Sequence, residues 1–86
     1  MSALTDLKQA RAKIQLKKNW AANDSQLSPE KFCMVTALPS ISNNDAYDLL
    51  IKVTGAEDGN LGEWNDTHSH EQVLAAFDKA IAEARS

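Results

Sequence analysis

Glu63-Trp64-Asn65-Asp66-Thr67-His68-Ser69-His70-Glu71-Gln72 holds the clearest helix start in the chain. Ser69 is placed to accept from the backbone N–H of Gln72, and the Gln72 side chain to reach back to the N–H of Ser69. That reciprocal pair is a capping box. Glu71 falls in the first turn, where the helix dipole favours negative charge. Behind it Val73, Leu74, Phe77, Ala80, Ile81 and Ala84 recur at three- and four-residue steps, which predicts a helix over residues 70–84. Ahead of it, Trp64 is expected to fold its ring beneath the helix start. Asn65, Asp66 and Thr67 are expected to bond backbone groups in the turn between them.

Upstream, Leu61-Gly62-Glu63-Trp64 suits one short helical turn, and residues 56–60 a loop. Before that loop, Ala46, Tyr47, Leu50, Ile51, Val53 and Thr54 supply the inner face of a helix. Ser42-Asn43-Asn44-Asp45 offers its caps, and Gly55 is a natural residue to follow its end. Ser28-Pro29-Glu30 gives a cap, a first-position proline and a first-turn acid. The stretch behind it, Phe32 to Leu38, is apolar on nearly every side. It predicts a short buried helix at the centre of the core, stopped by Pro39, with Cys33 packed inside as a small hydrophobe.

The first helix is expected to run to about Ala21, with Ala3, Leu7, Ala10, Ile14 and Ala21 on its inner stripe. Leu16 and Trp20 project to a different side. Either the helix ends early and turns them inward, or they form a second apolar contact. With Lys13 and Lys17, the second alternative makes Leu16 and Trp20 a candidate partner-binding surface, with Trp20 open to solvent and Trp64 protected.

Eighty-six residues suffice for one domain over residues 1–86, with one hydrophobic core. Hydrophobic residues at 43% and charged residues at 24% are globular proportions, which argues against wholesale disorder. The single cysteine excludes an internal disulfide. No apolar run reaches membrane-spanning length and no secretory signal pattern opens the chain, so a cytoplasmic protein is expected. Charge is unevenly placed. Residues 1–31 carry six basic and three acidic side chains, whereas residues 32–86 carry three basic and nine acidic. A basic helix beside an acidic body is a dipole rather than a nucleic-acid footprint.

Candidate chemistry is sparse. Asp66, His68, His70 and Glu71 are the one metal-like cluster, with imidazoles and carboxylates suited to zinc or another transition metal. Two histidines two residues apart are a weak pattern, and a solvated helix start explains them as well. Gly55, Gly59 and Gly62 form no phosphate cradle, and no cofactor is expected. No catalytic residue is assigned. A helix-turn-helix reading of residues 29–55 would put Asp45 and Asp48 against one Lys52 on the recognition helix, the wrong sign for DNA.

Phe32-Cys33-x-x-x-Ala37-Leu38, Ala46-Tyr47-x-x-Leu50, Trp64-Asn65-Asp66-Thr67 and Val73-Leu74-Ala75-x-Phe77-Asp78-x-Ala80-Ile81, after a basic N-terminal helix, together resemble a family of small proteins from bacteria and their phages. That family is kept as a domain of unknown function. The chain has Thr36 where the family tends to have glycine. The resemblance implies an all-α fold and brings no assigned activity.

The expected fold is therefore all-α: a compact bundle of about four helices, the second short and buried. The expected function is non-catalytic, that of a small accessory protein of a phage or mobile element that binds another protein. The competing expectation is a metal-dependent or small-molecule-binding domain centred on Asp66–Glu71.

Overall fold

The computed structural model describes residues 3–22, 30–38, 45–56 and 61–85. They form five α-helices: α1 (Ala3–Ile14), α2 (Met34–Ala37), α3 (Asp45–Thr54), α4 (Leu61–Asp66) and α5 (His70–Arg85). A short 3-10 helix, Lys17–Asn19, follows α1. The described residues contain no strand, only an isolated parallel bridge between Trp20 and Phe32. The all-α expectation holds.

The long helices form where the periodicity placed them. α5 starts on the expected capping box: Ser69 N–H donates to Gln72 Oε1 at 2.9 Å, and Gln72 N–H to Ser69 Oγ at 3.2 Å. Its inner face buries Val73, Ala76, Phe77 and Ala80. α3 buries Ala46 and Leu50. It ends at Gly55, whose φ of 71° lies in the left-handed region and whose N–H donates to Ile51 O at 2.9 Å. α1 buries Leu7, Ala10 and Ile14. These faces meet in one core in which Leu7, Ile14, Met34, Leu50, Leu61, Val73 and Phe77 are fully buried. Arg11 joins α1 to α5 through Asp78 at 2.8 Å, and Lys52 joins α3 to α5 through Glu83 at 3.7 Å. Both pairs reach solvent, so burial of the apolar faces decides stability.

Three local expectations need correction. The first helix ends at Ile14, seven residues before Ala21, and Leu16 is already extended at φ −89°, ψ 134°. Continuing the helix would carry Trp20 away from the core. Ending it lets Trp20 and Ala21 run extended beside Phe32, with Ala21 N–H to Phe32 O and Phe32 N–H to Asn19 O, both at 2.9 Å. That pairing also delays the second helix. Lys31 and Phe32 are extended, and α2 begins only at Met34. Its cap is Cys33, whose N–H donates to Thr36 Oγ1 at 2.9 Å while its sulfur accepts from Thr36 N–H at 3.5 Å. Phe32 and Val35 are half-buried, while Met34, Ala37 and Leu38 take the interior. Finally, Trp64, Asn65 and Asp66 belong to helix α4 itself, and the turn is made by residues 67–69. The proposed caps Ser28 and Ser42–Asn44, the first-position Pro29, the stop at Pro39, and Gly59 lie outside the described residues.

Candidate functional site

Two regions singled out in the sequence meet in space: the Trp-Asn-Asp segment of α4 and the connection that follows α1. Asn65 is completely buried. Its Oδ1 accepts from Trp20 Nε1 at 2.8 Å and from Met34 N–H at 3.1 Å. Its Nδ2 donates to Ala21 O at 2.9 Å and to Asp66 Oδ1 at 3.1 Å. A side-chain amide has two acceptor sites and two N–H donors, and all four are used. Asn65 therefore ties α4 to the start of α2 and to the segment after α1. Asp66 is exposed and orients the Asn65 amide rather than capping the turn.

The two histidines serve different neighbours. His70 Nε2 lies 2.6 Å from Ile14 O, the last carbonyl of α1, and its ring centroid lies 5.5 Å from that of Trp20. His68 stacks on Trp64, with centroids 3.7 Å apart and planes 12° from parallel, and its Nδ1 lies 2.6 Å from Trp64 O. A carbonyl only accepts, so both of these ring nitrogens carry the proton. The opposite nitrogen of each ring keeps its lone pair, so what counts against a shared metal site is where the rings sit. The rings address separate elements, so Asp66, His68 and His70 do not converge. Among the described residues, no group of three or more His, Cys, Asp or Glu is arranged to hold a metal ion.

The basic surface is re-formed with different membership. Trp20 is only 7% exposed and so leaves the candidate partner-binding set, whereas Leu16 is 56% exposed. Trp64, expected to be the protected indole, is half-buried. Lys13, Lys17 and Lys18, close to Leu16 in the sequence, are all exposed. Lys13 Nζ lies 5.5 Å from the Phe32 ring centroid, which draws its stem toward the protein. Trp20 acts from inside. Anchored on Asn65, it closes the 3-10 turn that carries Lys17 and Lys18 and that Leu16 opens. The sequence carried one signal for this anchor, since a buried indole N–H requires an acceptor, but nothing in it pointed to Asn65.

Cys33 is buried at the α2 cap, with Thr36 as its polar neighbour. Among the described residues its sulfur is hydrogen-bonded to Thr36 and not to a cation or imidazole that would favour a thiolate.

A family model described as Family of unknown function (DUF6197) matches residues 1–83, and the chain belongs to that family. No curated protein and no solved structure matches it.

Proposed function

We propose that this chain is a non-catalytic accessory protein that acts by binding another protein through Leu16 and the lysines around it. The observation that carries this reading is the exposure of Leu16, at 56% the one large hydrophobic exposed among the described residues. Single surface leucines are ordinary. This one stands in a short 3-10 connection whose far end is pinned by a buried tryptophan, so its position is fixed before any partner arrives. An apolar knob ringed by Lys13, Lys17 and Lys18 suits a partner with an apolar hollow and an acidic rim. On this reading the protein works in the cytoplasm as an accessory factor of a phage or mobile element. No helix among the described residues is long and apolar enough to cross a membrane.

The test is affinity capture from a bacterial lysate with the wild-type chain, Leu16→Asp and Lys17→Glu. Both side chains are exposed, so both variants should keep the wild-type circular dichroism melt. Retention of a captured protein should fall at least tenfold with either substitution. Equal retention by all three would remove this surface from the function.

A further inference from the structure

We propose that the partner of the Leu16 surface is a second copy of this chain, which receives Leu16 in a groove at the opposite end of α1. The proposal rests on the reading of Leu16 and its lysines as a protein-binding surface, and it adds the partner's identity.

The groove lies where the start of α1, the first turns of α3 and the end of α5 meet. Ala3, Leu4, Leu49 and Ala84 make its walls, and Asp45 and Asp48 stand at its rim. Its volume is about 470 Å³ and it is open to solvent, ample for a leucine side chain. Asp45 and Asp48 are exposed and form no salt bridge with another described residue. The one cation among the described lining residues, Lys52, lies 3.7 Å from Glu83. The rim is therefore acidic over an apolar floor, the inverse of the Leu16 surface.

The two surfaces are opposite in charge, and each has an apolar centre, yet they cannot meet within one chain. The helix between them has 12 residues, a separation of about 18 Å. The contact must be intermolecular and head-to-tail: the knob of one copy enters the groove of the next, with Lys13, Lys17 and Lys18 facing Asp45 and Asp48. A head-to-tail contact leaves one knob and one groove unused in a dimer, so assembly continues into a ring or an open chain.

The experiment is sedimentation equilibrium on four samples: wild type, Leu16→Asp, Asp45→Asn/Asp48→Asn, and an equimolar mixture of the two variants. Circular dichroism first establishes that each is folded. Asparagine is chosen because it matches aspartate in size and shape and removes only the charge. For the wild type, the weight-average mass should climb above the 9.4 kDa monomer with concentration and fall back in about 0.5 M salt. Each variant alone should associate at least tenfold more weakly. The mixture should recover a dimer and stop there, because it contains one intact knob and one intact groove. A wild type that stays monomeric at millimolar concentration overturns the proposal, as does a mixture no more associated than its components. If self-association fails while Leu16→Asp still loses a captured protein, the binding surface stands and only its partner is wrong.

Discussion

Trp20 Nε1 donates to Asn65 Oδ1 across 2.8 Å, between residues 45 apart in sequence, with both groups buried. The same oxygen holds the first N–H of α2, and the amide nitrogen holds Ala21 O. One side chain thus connects three segments that share no helix. Because Trp20 closes the connection that begins at Leu16, this bond also determines where the candidate binding surface sits.

Replacing Asn65 by Ala should be among the most damaging single changes in the chain. It leaves the Trp20 N–H, the Met34 N–H and the Ala21 carbonyl buried without partners, and each such group costs about 1–3 kcal/mol. A loss of about 3 kcal/mol or more is expected from urea melts, a large part of a small domain's stability. Asn65→Asp is expected to be almost as harmful, since a carboxylate cannot donate to Ala21 O and would sit beside Asp66. A loss below about 1 kcal/mol for Asn65→Ala would mean that water replaces the network.

The two tryptophans should differ in the sense opposite to the sequence expectation. Trp20 is 7% exposed, and Trp64 is half-buried beneath His68. In Trp64→Phe, the remaining Trp20 emission should resist acrylamide. In Trp20→Phe, the remaining Trp64 should be quenched several-fold more efficiently. Equal quenching constants would contradict the burial of Trp20.

Leu38→Ala should cost about 2–5 kcal/mol, the usual scale for a buried leucine. Leu38 is 5% exposed and packs into the main core, while its neighbours Phe32 and Val35 are half-buried. Val35→Ala should therefore cost clearly less. The comparison of the two melting curves tests which residues of this apolar stretch form the interior.

What was legible in the sequence was whatever depends on local spacing. The stripe from Val73 to Ala84, the Ser69–Gln72 box and the terminating Gly55 each follow from period or capping within a few residues, and all are present. The early end of α1, the extended Phe32 and the cap at Cys33 were not legible. They come from pairing between residues around 20 and around 32, and from Asn65 some 45 positions away. Asn65 carries ordinary turn chemistry in the sequence, and only tertiary packing makes it a buried hub. For the same reason His68 and His70, adjacent in pattern, were separated by neighbours drawn from different helices.

Gly55→Ala should destabilise by about 1 kcal/mol through the backbone alone. Its φ of 71° is costly for a residue with a Cβ. An added methyl would meet nothing within 4 Å, so no clash contributes. Gly55→Asn should recover part of the loss, because asparagine tolerates this region better. If both variants melt like wild type, the end of α3 readjusts freely.

The last prediction separates structure from metal chemistry around the histidines. His70 donates to the final carbonyl of α1 at 2.6 Å and lies against the Trp20 ring, whereas His68 stacks on the half-buried Trp64 near solvent. Removing His70 strands a carbonyl at a helix end and loosens the packing that holds Trp20. A loss of about 1–2 kcal/mol is expected for His70→Ala, from one hydrogen bond plus the ring contact. His68→Ala should cost about 1 kcal/mol or less. Asp66→Ala should cost less than Asn65→Ala by a wide margin, because Asp66 is exposed and water can take its place on the Asn65 amide. Micromolar zinc, nickel or manganese should leave the melting temperature unchanged, since the two rings pack on separate helices and no third ligand among the described residues converges with them. A metal-dependent rise, abolished by the double histidine substitution, would show that the rings bind an ion that favours the folded state. It would also make residues 66–71 the functional centre in place of Leu16.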